Sequence, residues 1–154
     1  MTYPEQLAAA LHAAGRYDVT IASVGIAGTT LLGNGPTTTD LHRFKRDVLG
    51  LPGVSAVIEY LGANNLRDSC VPTDGLIKGQ QDLIGQAHAA GSKISLATTA
   101  PSTFCGTQNP DGFGTRFLEG SGEEAQRLLL NTWNLSQEPS QLNGKQNGRP
   151  MPTL

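Results

Sequence analysis

The stretch Val54-Ser-Ala-Val-Ile-Glu-Tyr-Leu61 reads as a strand, a short apolar run with β-branched residues that follows the breaker Pro52-Gly53 and stops at Gly62. A helical pattern follows over residues 74–90 and ends at Gly91. It runs directly into a second strand, Lys93-Ile-Ser-Leu-Ala-Thr-Thr99. Strand, helix and strand joined this tightly make a crossover, and a crossover returns the second strand parallel to the first.

Upstream, the same scheme recurs. Leu41, Phe44, Val48 and Leu49 form a helical stripe, terminated by Gly50 and Pro52-Gly53. Before it, Asp18-Val-Thr-Ile-Ala-Ser-Val-Gly25 reads as a further strand, followed by a loop over 28–38 whose strongest turn signal is Gly33-Asn-Gly-Pro36. At the start, Thr2 and Glu5 flank Pro4 in a capping-box pattern. Leu7, Ala10, Leu11 and Ala14 then share a helical face, and Gly15 closes the segment. Downstream, a long loop over 100–119 leads to a last helix over 123–133, with Leu129, Leu130 and Trp133 on one face.

Repeated alternation with right-handed crossovers predicts a flavodoxin-like three-layer α/β/α sandwich with a parallel sheet. Its functional loops lie beyond the carboxyl ends of the strands, here 25–38, 62–72 and 100–119. Residues 1–134 form the domain. Residues 135–154 are polar with no structural period and are expected to be a disordered tail. Within the boundary region, Asn134-Leu-Ser136 matches an N-glycosylation acceptor, a triplet common enough by chance to carry little weight.

Composition narrows the function classes. The chain has 154 residues, 38% hydrophobic and 16% charged, with 19 Gly and 9 Pro, which describes a loop-rich globular domain. The net charge is -2 with no basic run, so no positive face displaces counterions from nucleic-acid phosphates. No stretch approaches the roughly 20 apolar residues of a membrane span. Met1-Thr-Tyr-Pro-Glu-Gln has no basic region followed by an apolar one, so no signal peptide is expected. No Walker-type or dinucleotide Gly pattern and no zinc-ligand spacing occurs, and no cofactor is expected.

Two loops stand out chemically: Ser23-Val-Gly-Ile-Ala-Gly-Thr-Thr30 and Glu59-Tyr-Leu-Gly-Ala-Asn-Asn65. A Gly at a strand exit aims its backbone N–H outward, and a short amide beyond a neighbouring strand adds a fixed donor. Such a pair can stabilise the oxyanion that forms when an ester carbonyl is attacked. Gly and Asn are also ordinary turn residues.

Both loops resemble the signatures of the SGNH (GDSL-type) hydrolases, a family of serine-dependent esterases and lipases. The first is similar to the family's Asn-x-Gly-Ile-x-Gly turn, the second to its Gly-x-Asn-Asp turn. The resemblance extends through Arg43-Phe-Lys-Arg-Asp-Val-Leu49, Pro52-Gly-Val54, Gln86-Ala-His-Ala-Ala-Gly91, Thr98-Thr-Ala-Pro101 and Asn131-Thr-Trp133, covering about residues 2–134. It assigns the oxyanion hole to Gly28 and Asn64. It implies an SGNH fold, a small acyl, acetyl or glycan-linked ester as substrate, and a mostly secreted setting.

The departures are as informative. Ser23 stands where the family has Asn, and Asn65 where it has a carboxylate that braces the loop. No Gly-Asp-Ser nucleophile turn occurs anywhere in the chain, and no Asp-x-x-His pair follows a last strand. The resemblance thus implies a domain truncated at both ends. Its serine strand belongs between the strands at 18–25 and 54–61, so its loss leaves either a gap or a direct pairing of those two.

No substitute triad is legible. His12 and His42 lie on helices, and His88 falls at the amino end of the sheet, away from the site loops. Ser69 is near Asn64 but has no base. Glu123 and Glu124 suit the start of a helix through its dipole, and Asp47 and Glu59 are isolated in sequence. Cys70 and Cys105 are either two free thiols or a disulfide. Both follow the carboxyl ends of neighbouring strands, which favours a bridge between the two site loops. Functionally the choice lies between an ester hydrolase domain, inactive as it stands, and a non-catalytic homologue that binds a carbohydrate, lipid or protein.

Overall fold

The computed structural model describes residues 2–33, 39–68, 71–100 and 122–137. Helix α1 spans Tyr3–Ala13, and α2 spans Asp40–Arg43 and continues as a π-helical turn over Phe44–Val48. Strand β1 is Ala56–Glu59, followed by α3 (Ala63–Asp68) and α4 (Thr73–Ala89). Strand β2 is Lys93–Leu96, and α5 is Gly122–Ser136. The fold is α/β. β1 and β2 pair in parallel, Ala56 with Lys93 through Glu59 with Leu96, with α4 as the crossover.

The terminators act where their chemistry places them. Thr2 N–H donates to Glu5 Oε2 at 2.6 Å at the start of α1. Gly15 and Gly91 follow the caps of α1 and α4 with φ of 73° and 74°, and Gly53 turns the chain ahead of β1 with φ 76°, a region costly for any residue with a Cβ.

The core lies on one face of the sheet. Val57, Glu59 and Leu61 alternate inward with Ile94 and Leu96 and meet Leu76, Leu83 and Ala87 of α4; Leu31, Phe44 and Leu130 complete the cluster. Ala56, Ile58, Tyr60, Lys93 and Ser95 face the other way and are exposed. Among the described residues nothing covers that second face. β1 likewise has β2 as its sole strand partner there.

The expected strand over 18–25 is not formed. The segment is extended but enters no ladder, and most of its residues are exposed. A strand exists only through its partner, and 18–25 does not pair directly with β1. Most of its residues are open to water and Val24 O accepts from Arg43, so the segment escapes much of the penalty of about 1–3 kcal/mol that a buried unpaired group carries. α1 shares this exposure. Its stripe is at most half-buried at Leu7 and Leu11, and no residue of the helix is fully buried.

Three other expectations are corrected. The loop over 62–72 contains the short helix α3, whose first turn is closed by Leu66 N–H on Gly62 O at 3.0 Å. The last helix runs on through Leu135 and Ser136, past its expected end at Trp133. Its inward face is set by Leu130 and Asn134, whereas Leu129 is 45% exposed. Asn134 is 4% exposed with its Nδ2 donating to Ala97 O at 3.0 Å, so the acceptor amide of the glycosylation triplet is buried.

Candidate functional site

Beyond the carboxyl ends of β1 and β2 the loops are held by side-chain amides. Asn65, fully buried on α3, accepts from Leu31 N–H at 2.7 Å and Leu32 N–H at 3.4 Å through Oδ1. Its Nδ2 donates to Leu32 O at 2.7 Å. The amide therefore supplies the acceptor that a carboxylate would offer here, plus a donor that a carboxylate lacks. The bracing that the Asp-to-Asn departure put in question is present.

Asn64, one residue earlier, donates Nδ2–H to Thr29 O at 2.7 Å. This bond ties α3 to the turn that holds Gly28. Thr29 N–H donates to Ile26 O at 3.3 Å, closing a four-residue turn with Gly28 at its third position, and the Thr29 hydroxyl oxygen lies 2.9 Å from the same carbonyl. Gly28 has φ 77°, the value that position demands in a type II turn. It is exposed, and its N–H takes no hydrogen bond among the described residues. Gly28 and Asn64 thus sit in two loops joined by a direct hydrogen bond.

The turn is anchored from below. Thr29 Oγ1 donates to Asp40 Oδ2 at 2.5 Å, and Asp40 N–H donates to Thr30 O at 3.0 Å. Arg43, almost wholly buried, meets Asp40 at 3.5 Å and Asp47 at 3.0 Å, and donates Nη2–H to Val24 O at 2.8 Å. That last bond pins the end of the unladdered segment to α2. Asp47, beside both Arg43 and Arg46, is held below the usual carboxylate range, chiefly by its hydrogen bonding to Arg46.

At β2 the same device recurs. Asn131 of α5 accepts from Thr99 N–H at 2.7 Å and donates to Thr99 O at 2.9 Å, the pair of bonds a neighbouring strand residue would make. Arg127 adds a 3.0 Å bond to Thr99 O while paired with Glu124. Glu124 lies in the first turn of α5, as its expected helix-opening role requires, and Arg127 lowers its pKa by hydrogen bonding.

The histidines do not converge on these loops as a set. His12 packs against Tyr17 with ring centroids 4.8 Å apart and planes tilted by 59°. His88 is exposed in the last turn of α4, at the amino end of the sheet. His42 Nδ1 shares a 2.6 Å hydrogen bond with Thr39 Oγ1, a hydroxyl that is buried. Ser69, Cys70 and Cys105 lie outside the described residues. Among the described residues no three His, Cys, Asp or Glu side chains are arranged to hold a metal, and no helix is long and apolar enough to cross a membrane.

One residue counted as isolated in sequence is not isolated in the fold. Glu59 ends β1 buried, with Gln80 Nε2 at 3.2 Å from Oε2 and 3.5 Å from Oε1. Burial pushes its carboxyl up to about 7. The signal was its parity: in Val57-Ile-Glu-Tyr-Leu61 the Glu alternates in step with two apolar residues, and those face the core.

No protein-family model matches the chain, and no curated protein matches it.

Proposed function

We propose that the chain carries the oxyanion-hole half of an SGNH-type carboxylic ester hydrolase domain, with a flavodoxin-like three-layer sandwich as the complete fold. The observation that carries this reading is the Asn64 to Thr29 bond, which fastens an amide-bearing helix start to a turn whose exposed Gly28 N–H makes no hydrogen bond among the described residues. In such a site Gly28 N–H and the Asn64 amide hold the developing oxyanion while a serine attacks an acyl carbon. The substrate class is a small acyl, acetyl or glycan-linked ester. The bare edge of β1 and the unladdered residues 18–25 suit a further parallel strand between them, where the resemblance puts the Gly-Asp-Ser turn.

With neither Gly-Asp-Ser nor Asp-x-x-His in its 154 residues, the chain by itself hydrolyses nothing. Purified alone, it turns over p-nitrophenyl acetate at the background rate. Joined to its in-frame genomic flanks, it gains turnover that Asn64→Ala reduces by about 10²–10³, the size of one lost oxyanion donor. Flanks that encode neither motif in any frame, or a turnover indifferent to Asn64→Ala, would overturn the reading in favour of a non-catalytic binding module.

A further inference from the structure

Glu59 is 4% exposed, and three groups face it. From α4 comes the amide of Gln80; the charged residues Asp74, Lys78 and Asp82 of that helix lie on its exposed side. From the loop beyond β1 comes the Leu61 N–H. From α2 comes Asp40, a like charge. Its own strand neighbours are apolar. None of these is a cation, so an ionised Glu59 has an amide and a backbone N–H to set against desolvation and repulsion.

A second observation is independent of that balance. Gln80 is itself fully buried, and its Oε1 has no hydrogen-bond partner. A carboxylate can only accept, so it leaves that oxygen orphaned. A protonated carboxyl can donate O–H to Oε1 while its carbonyl accepts Nε2–H, a cyclic acid–amide pair reached by turning the amide about its last torsion. The proton satisfies the one atom that the ionised arrangement cannot.

We infer that Glu59 and Gln80 form a proton-operated latch between the end of β1 and α4, closed as an acid–amide pair and opened when Glu59 loses its proton. The two residues lie 21 apart in the chain, so the pair fastens strand to helix within the buried core. The junction is held in acid and loosened in mild base, whatever chemistry the loops beyond it perform.

Infrared difference spectra and amide exchange of the 154-residue chain test this. The protonated carboxyl C=O band persists after the exposed carboxyls have ionised and disappears with a midpoint near pH 7. Glu59→Gln removes that band. Asp40→Asn, which deletes the like charge, moves the midpoint at least half a pH unit down and guards against a Glu59→Gln chain that does not fold. Exchange at Gln80 and Leu83 of α4, corrected for intrinsic base catalysis, accelerates at least tenfold across the same midpoint, and Glu59→Gln abolishes the acceleration. A carboxyl band fully lost by pH 5, a band that survives Glu59→Gln, or protection at Gln80 unchanged through pH 8 would each overturn the latch.

Discussion

Asn65 Oδ1 accepts the Leu31 N–H at 2.7 Å across 34 residues of chain, in a site where neither residue is exposed to solvent. The same amide donates to Leu32 O, so both of its ends are used. Asn65→Asp keeps the acceptor but removes that donor and buries a charge. The expected loss is about 1–3 kcal/mol or more, measured as a lower urea midpoint. A neutral or stabilising result would show that the bracing does not depend on the amide donor.

Asn131→Ala removes both bonds to Thr99 and leaves its backbone N–H without that acceptor. A loss of about 2–3 kcal/mol is expected from two hydrogen bonds of this kind. Hydrogen exchange at Thr99 should rise while exchange at Ile94, inside the β1–β2 ladder, follows global unfolding alone.

Gly28→Ala isolates backbone strain. A Cβ at Gly28 meets nothing within 4 Å, so the cost comes from φ 77° and not from crowding, about 1–2 kcal/mol. Gly79→Ala is the opposite case: its φ is ordinary, but the Cβ would meet Leu32 Cδ2 at 2.9 Å and Leu31 Cδ2 at 3.2 Å. Overpacking of about 1–3 kcal/mol outweighs a helix-propensity gain of about 1 kcal/mol. Thermal melts of the two variants check both, and equal stabilisation by each would contradict the assignment.

Glu59 sets the sign of one pH dependence. Its folded pKa of about 7 lies above the ordinary 4.5, so between these values the folded state binds more protons than the unfolded chain. Stability is therefore fully present below about pH 4.5 and is lost as pH rises through 7, by roughly 3 kcal/mol in all. Urea midpoints at pH 5 and pH 8 should differ in that direction, and Glu59→Gln should flatten the difference.

Ile58 is 48% exposed on the face of the sheet that no described residue covers. Ile58→Lys is expected to change the urea midpoint by no more than about 0.5 kcal/mol. It should raise the concentration at which the chain begins to aggregate, because an apolar strand with a bare edge invites pairing. Light scattering during concentration checks this.

What was legible in the sequence is what local chemistry decides. Gly15 and Gly91 stopped their helices, and Val57 to Leu96 gave a parallel βαβ unit, because punctuation and periodicity act within a few residues. The segment 18–25 has strand composition and no strand, since composition does not supply a partner. α3 was hidden in Gly62-Ala-Asn-Asn, whose residues favour turns until Asn65 finds Leu31 and Leu32 to bond. For the candidate site, both loops were legible and their junction was not. That Asn64 reaches Thr29, 35 residues away, is a fact of packing. The Glu59–Gln80 pair likewise spans 21 residues and has no local pattern.

An asparagine side chain is a peptide group turned on its side, with one donor and one acceptor at peptide spacing. At Asn65 and Asn131 this chain uses it as such, giving loop residues the two bonds a sheet neighbour would have given. Amides carry no proton to lose in the physiological range, so these two braces are blind to acidity. Beside them, the buried carboxyl of Glu59 is a part of the fold that gives up its proton near neutrality.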